Sequence, residues 1–398
     1  MNNFEFQNAT KIIFGKHTEY QVGTEVKRHS TRVLVHIGQK SAKQSGLFER
    51  VTTALSEAGV IWVELSGVQP NPRLDLVHQG IKLCREHSLD FVLAVGGGSV
   101  IDSAKAIAAG VPYSGDVWDF FTGKAKVQRA LGIGCVLTIP AAGSETSGST
   151  VISNDDGNWK KPLTDNDFLR PAFAIMNPEL TQTLSPSDTA IGAADIMSHV
   201  FERYFTNTLH VDFIDRLSEA TLRSVIHNLP LILADPLDYD SRAELMWTGT
   251  FAHNDFLGTG RDQDWATHNL EHELSGLYDV PHGAGLAVLF PAWMKYVHRH
   301  DVDRFAQFAV RVWNVEMNHK KPLLTAQEGI VRLQNFWRSC GLPQSLEELG
   351  VPVDRFEEMA LKATGNNTYT NGNFVVLGLK DLVSIYELAT KSKCDLWK

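Results

Sequence analysis

A chain of 398 residues is long enough for two typical domains. Its 43% hydrophobic and 21% charged residues describe a globular protein with a sizeable core, and a formal net charge of -9 argues against nucleic acid or an anionic membrane as the main partner. No apolar run approaches membrane-spanning length, the opening MNNFEFQNATK lacks the layout of a secretory signal, and Cys84, Cys135, Cys340 and Cys394 show no paired spacing, so a cytoplasmic protein with reduced thiols is expected.

The first half alternates short β-branched runs with helical stretches. RVLVHIG, around Val33 to Gly38, reads as a strand, and SGLFERVTTALSEAG as a helix stopped by Gly59. IWVEL (Ile61 to Leu65) is a second strand and RLDLVHQGIKLCREH a second helix. FVLAV (Phe91 to Val95) is a third strand, running into glycines and then the helix SVIDSAKAIAAG. Short strands follow at GCVLTIP and AFAIM. Continuous apolar strands alternating with helices predict a parallel, Rossmann-like sheet covered on both faces, with ligands at the carboxyl ends of its strands.

After about Asn177 the spacing turns helical. Ser185 is placed to cap a helix, with Pro186 at its first position and Asp188 in its first turn. DRLSEATLRSVIHNLPLIL, RAELMWTGTFAHNDF, DWATHNLEHELSGL, RFAQFAVRVW and the segment from Ala326 to Cys340 continue the pattern. The expected division is an α/β domain over residues 1–180 and an all-helical domain over 181–398, with a tight boundary near residues 177 to 185.

VGGGSVIDSAK (Val95 to Lys105) follows a predicted strand and opens a helix. Consecutive glycines let the backbone approach a ligand closely, and the free N–H groups at the positive end of the helix attract a phosphate. The loop is not a Walker A motif, since no Gly-Lys-Ser/Thr follows, nor is it the GxGxxG fingerprint. The glycines can equally serve the turn alone, and Ser99 and Asp102 can be simple capping residues. TIPAAGSETS (Thr138 to Ser147) also follows a strand and can form another wall of the same cleft.

In GAADIMSHVFERYF, Asp195 and His199 lie four residues apart and share one helix face, so both can point at a single centre. His268 and His282 follow in WATHNLEHELSGLYDVPHG. One carboxylate and three imidazoles suit a divalent transition metal such as Zn²⁺ or Fe²⁺. Taken singly, each histidine is more often an ordinary core or surface residue. HELSG at His272 begins like HExxH, but Gly276 stands where the second histidine is required, which removes a metalloprotease.

TKIIFGK, PNP at Pro70 to Pro72, GGGSVIDSAK, GSE at Gly143 to Glu145, NPELT at Asn177 to Thr181, GAADIMSH and the histidines His268, His272 and His282 resemble, in this order, the iron-containing (group III) alcohol dehydrogenases. The resemblance covers essentially the whole chain. Within that family the chain is most similar to the NADP-dependent branch of butanol dehydrogenases and broad-range aldehyde reductases, on its AAGSE segment and its DWATHxLxHEL string. It lacks the longer PTTAGTGSE form of other relatives, a departure expected to reshape the nicotinamide side of the cleft without abolishing cofactor binding.

The resemblance implies a dehydroquinate synthase-like fold, a dinucleotide-binding α/β domain followed by a helical metal-binding domain. It implies metal coordination by Asp195, His199, His268 and His282, with His272 unliganded near the nicotinamide as a proton relay or, alternatively, a packing residue. Gly97, Gly98 and Ser99 match pyrophosphate contacts, with Asp102 beside them. Asn71, Thr138, Ser147 and Lys161 match further cofactor-lining positions, although the neighbouring Lys160 leaves the register between two lysines open. A homodimer acting on a small-molecule alcohol or aldehyde completes the implied picture.

The chain after the first strand reads HIGQKSAKQSG, where such folds meet the adenosine ribose. NAD-preferring relatives resemble one another in carrying an aspartate at the position aligned with Gln39. Here that position is neutral, Gly38 leaves space, and Lys40 and Ser41 can contact a 2′-phosphate, so NADP(H) is expected over NAD(H). A Lys40 pointing to solvent and a loop tolerant of both cofactors is the alternative. The expected activity is hydride transfer between NADP(H) and a small aliphatic alcohol or aldehyde, assisted by one divalent ion, Fe²⁺ or Zn²⁺. A glycerol or other polyol dehydrogenase, or a dehydroquinate synthase-like lyase, would want more basic residues than the ligand-bearing helices hold. A non-catalytic nucleotide-binding protein would have no use for an intact ligand set.

Overall fold

The computed structural model describes residues 1–164 and 166–390, and Cys394 lies outside them. The chain forms two compact units. Gln7–Leu184 and Asp235–Asn254 make one, and Met1–Phe6, Ser185–Ala234 and the chain from Asp255 make the other.

The first unit holds strands β1 (Lys11–Phe14), β2 (Arg32–Gly38), β3 (Ile61–Val68), β4 (Phe91–Gly96), β5 (Gly132–Leu137), β6 (Thr150–Asn154), β7 (Trp159–Leu163) and β8 (Phe173–Met176). Six of them form an all-parallel sheet in the order β1-β8-β5-β4-β2-β3, and β6 pairs with β7 as a separate antiparallel hairpin. All of β4 and the middle of β2 are buried, as a sheet covered on both faces requires. Leu34, Val92 and Ala94 pack with Val77, Ile81, Ile101 and Ile107 from the helices Leu74–Glu86 and α1 (Gly98–Gly110). Val33, Val35, Leu93 and Val95 face the other way, onto Val51 and Leu55 of the helix Leu47–Glu57. Gly59, at φ 69°, ends that helix as expected.

Strand order reverses at β2, which pairs with β3 on one side and β4 on the other. Open α/β sheets bind ligands outside the carboxyl ends of the strands at such a point. Register sets Ile37 beside Val95 and Gly96 beside Leu137, so the segments that begin at Gly38, Gly97 and Thr138 leave the sheet side by side.

Three features go beyond the sequence reading. β1 has four residues, KIIF, too few to show a period, and it forms an edge of the sheet. The hairpin carries Lys160, Lys161 and Pro162 in β7, a composition that reads as a loop. The helix Tyr239–Ala252 belongs with the sheet, because Met246 joins its core and Thr250 Oγ1 donates to Glu145 at 2.5 Å.

The second unit is helical. Its elements include α2 (Pro186–Tyr204), Asp212–Ala234, α3 (Ala266–Tyr278), α4 (His282–Val297), Val302–Trp313 and Pro322–Ser339. Ser185 caps α2 by accepting the Asp188 N–H at 3.0 Å, and Pro186 opens it. α3 begins one residue after Trp265, whose left-handed backbone (φ 66°) cannot continue a helix. α2 and α4 approach closely, since a Cβ on Gly283 would fall 2.2 Å from the Ile191 carbonyl oxygen. Among the described residues, no helix is long and apolar enough to cross a membrane.

Candidate metal and dinucleotide sites

Asp195 and His199 project from α2, His268 from α3, and His282 is the first residue of α4. Ligand-capable atoms of Asp195, His268 and His282 lie within 4.8 Å of one another. His199 stands beside them, its Nδ1 3.0 Å from Asp195 Oδ1 and its ring centroid 4.7 Å from that of His268. His282 Nε2 faces Asp195 Oδ1 at 4.0 Å.

Each imidazole is held by its other nitrogen. His199 Nδ1 donates to the Asp195 carbonyl at 3.0 Å, His268 Nδ1 to Glu202 at 2.7 Å, and His282 Nδ1 to Glu271. A carbonyl or carboxylate oxygen has no proton to give, so in all three rings the hydrogen sits on Nδ1 and the lone pair on Nε2. That is the tautomer in which Nε2 can ligate a metal.

Two atoms of the set have no hydrogen-bond partner. Asp195 Oδ1 and His268 Nε2 are both buried and unbonded, which ordinarily costs about 1–3 kcal/mol each. Burial opposes the charge on Asp195, but the His199 and His282 imidazoles hold its carboxyl well below the usual range. Burial, reinforced by His199, drives His268 far below the ordinary histidine range, so it is neutral. An ionised carboxylate beside the neutral His268 and two further imidazoles fits a divalent Zn²⁺ or Fe²⁺ ion. Glu271, His272 and His282 also cluster within 4.8 Å, but Glu271 already accepts from His282 Nδ1 and the Ser275 hydroxyl.

In the other unit, Gly97 joins β4 to α1, and the first helical bonds run from Val100 and Ile101 to its carbonyl, at 3.0 and 3.2 Å. The amides of Gly98 and Ser99 therefore precede the ladder, at the end of α1 suited to an anion. A Cβ on Gly97 would lie 3.1 Å from Ile139, and one on Gly98 3.2 Å from Ala142, so the segment after β5 packs directly on the loop. Thr138 N–H donates to the Gly96 carbonyl at 3.1 Å. Gly38 ends β2, with Gln39, Lys40 and Ser41 exposed beyond it. Asn71 is buried and left-handed (φ 55°), its carbonyl accepting from Arg73 at 2.5 Å.

Asp102 and Ser147 are engaged inside the unit. Asp102 accepts from Ser144 Oγ at 2.5 Å and from Val151 N–H at 2.9 Å. The buried Lys105 ammonium donates to Ser144 Oγ (2.9 Å) and to the carbonyls of Ser147 (2.9 Å) and Ser149 (2.7 Å). Burial raises the Asp102 carboxyl and brings Lys105 down to about 8. Together they fasten the segment Ser144–Val151 to α1. The two lysines of β7 point to opposite faces. Lys161 lies 4.6 Å over the Trp159 ring, whereas Lys160 is buried with its charge acting on Asp102.

Residues 9–178 match the family described as iron-containing alcohol dehydrogenase, and residues 189–390 match the C-terminal part of the Fe-containing alcohol dehydrogenase family. The chain belongs to the iron-containing alcohol dehydrogenases. It is 42% identical over 388 residues to a probable NADH-dependent butanol dehydrogenase 2 of Bacillus subtilis, spanning 97% of this chain and 99% of that protein. It is 34% identical to the NADPH-dependent aldehyde reductase YqhD of Escherichia coli, over 92% of this chain and 96% of the relative. The crystal structure of NADH-dependent butanol dehydrogenase A from Thermotoga maritima matches the fold with a TM-score of 0.94 at 38% identity, covering 98% of this chain and 99% of the other.

Sequence reasoning passed over two residues of this alcohol dehydrogenase, Glu202 and Glu271. Each follows a candidate ligand by three positions, as His199-x-x-Glu202 and His268-x-x-Glu271, so a repeated His-x-x-Glu was the available signal. Yet Glu202 serves His268 and Glu271 serves His282, each on the next helix along. Lys105, three residues after Asp102, was also passed over.

Proposed function

We propose that this iron-containing alcohol dehydrogenase interconverts small aliphatic aldehydes and alcohols, using a nicotinamide cofactor and one divalent ion, Fe²⁺ or Zn²⁺. The observation that carries the reading is the convergence of Asp195 Oδ1 and His268 Nε2, buried and without hydrogen bonds, on His282. Asp195, His199, His268 and His282 would hold the ion. Gly97, Gly98 and Ser99 would receive the cofactor pyrophosphate, and of the two β7 lysines Lys160 is the one on the side of Asp102.

When bound, the ion supplies Lewis acidity toward the substrate oxygen and the nicotinamide carries the hydride. The part of the chain is positional. The Nδ1 bonds fix the imidazoles, the glycine loop anchors the phosphates, and His272 passes a proton to or from the substrate oxygen. NADP(H) is preferred over NAD(H), a reading supported by the absence of any carboxylate among the exposed Gln39, Lys40 and Ser41. The relatives' names divide between the two cofactors, so the preference rests on this loop alone. Assembly as a cytoplasmic homodimer belongs to the same proposal and has the family as its support.

The test is a cofactor and substrate panel on enzyme reconstituted with Fe²⁺ or Zn²⁺, including butyraldehyde, butanol and glycerol. Aldehyde-dependent NADPH oxidation that a chelator stops and added metal restores is the expected result. A preference for glycerol, or no turnover of any aldehyde, would overturn the reading.

A further inference from the structure

The Nδ1 bonds of His268 and His282 end on two buried glutamates from neighbouring helices. We propose that Glu202 and Glu271 are paired positioning residues that act through His268 and His282, an inference that rests on the metal site proposed above. Both carboxylates are already engaged by hydrogen-bond donors, Glu271 included although it clusters with His272 and His282.

Glu202, on α2, is 1% exposed. Its Oε2 accepts the Trp265 N–H at 2.7 Å, and its Oε1 accepts both the N–H and the Nδ1–H of His268, at 3.0 and 2.7 Å. One carboxylate thus takes the amide just before α3, an amide of its first turn and the side chain of the ligand that α3 carries. The left-handed Trp265 backbone precedes α3, and the Trp265 ring is covered by the Arg203 guanidinium at 4.8 Å. Burying a carboxyl group in the interior is costly unless donors meet it, and here three do.

Glu271, on α3, is fully buried. Its Oε1 accepts the Ser275 hydroxyl and its Oε2 the Nδ1–H of His282. Gly285 of α4 leaves the space, since a Cβ there would stand 2.9 Å from both Glu271 Cγ and Oε1. The helix that begins with His282 therefore also makes room for the carboxylate that orients it. α2 supports the ligand on α3, and α3 supports the ligand on α4. A carboxylate on Nδ1–H fixes the tautomer and raises the basicity of Nε2, effects that are worth roughly 10–100-fold in metal affinity.

The proposal is tested by titrating metal-free wild type, Glu271→Gln, Glu271→Ala and Glu202→Gln with Zn²⁺ against a chromophoric chelator, and by recording visible spectra of the Co²⁺-loaded forms. Glu271→Gln keeps an acceptor for His282 and sets its NH2 against the Ser275 hydroxyl, which can accept, so it should weaken Zn²⁺ about 10-fold. Glu271→Ala loses the acceptor and Glu202→Gln sets an NH2 against N–H donors, so both should approach about 100-fold. The Co²⁺ absorption, which reads the ligand field, should shift in each, while far-UV circular dichroism stays that of wild type. Wild-type Zn²⁺ affinity and an unshifted Co²⁺ spectrum in the Glu271 variants would overturn the proposal, even if Glu202→Gln does not fold. A wild type that binds neither ion would overturn the metal site itself, and this proposal with it.

Discussion

The ring of His272 stacks on that of His282, with centroids 5.6 Å apart and planes inclined by 23°, one helical turn after His268 on α3. This buried imidazole lies beside the candidate ligand His282, and its ligand-capable atom is within 4.8 Å of those of Glu271 and His282. His272→Ala should keep its metal and its cofactor yet lose about 10²–10⁴-fold in rate, with an altered pH–rate profile. Metal analysis and a pH profile of kcat check this. Loss of metal would mean that His268 and His272 exchange roles, and an unchanged profile would leave His272 a packing residue.

His268 offers the clearest test of the ligand set, because its Nε2 is buried without a hydrogen bond while its Nδ1 is held by Glu202. His268→Ala should purify folded, metal-poor and almost inactive. Full occupancy with near-normal turnover would remove it from the set.

Cofactor choice is read from the end of β2. Gln39→Asp should place a carboxylate where it accepts ribose hydroxyls and repels a 2′-phosphate. Wild type is expected to show the higher kcat/KM with NADPH, and the variant to move toward NADH. A wild type that prefers NADH would show that this loop does not set the choice.

Stability should fall with acid in a way traceable to His36. This residue is fully buried in β2, its Nδ1 donating to the Leu65 carbonyl at 3.0 Å and its Nε2 accepting from the Ser103 hydroxyl at 2.8 Å. Burial pulls it down to about 4 from 6.5. Below pH 6.5 the unfolded chain takes up a proton that the folded chain refuses, so the stability present above 6.5 is lost progressively as pH falls to about 4. Each pH unit within that window is worth about 1.4 kcal/mol. Urea midpoints of the metal-free protein from pH 7.5 to 4.5 should slope downward, and His36→Gln should flatten that slope by up to one proton's worth. Identical slopes for the two proteins would refute the assignment.

Much of this protein was legible before its structure. The apolar runs at β2, β4, β5 and β8, the cap at Ser185, the glycine loop after β4 and the candidate ligands Asp195, His199, His268 and His282 are local signals, carried by a few neighbouring residues each. Contacts between distant segments are not encoded that way. The edge strand β1 is a strand because β8 pairs with it, and the helix Tyr239–Ala252 joins the sheet unit although its pattern is that of the helical half. Lys160 and Lys161 are adjacent letters until strand β7 turns them to opposite faces. The ring tautomers are the deepest case. A histidine's proton follows its partner, and the partners Glu202 and Glu271 come from neighbouring helices, so only the packing of α2, α3 and α4 determines which nitrogen is left to meet a metal.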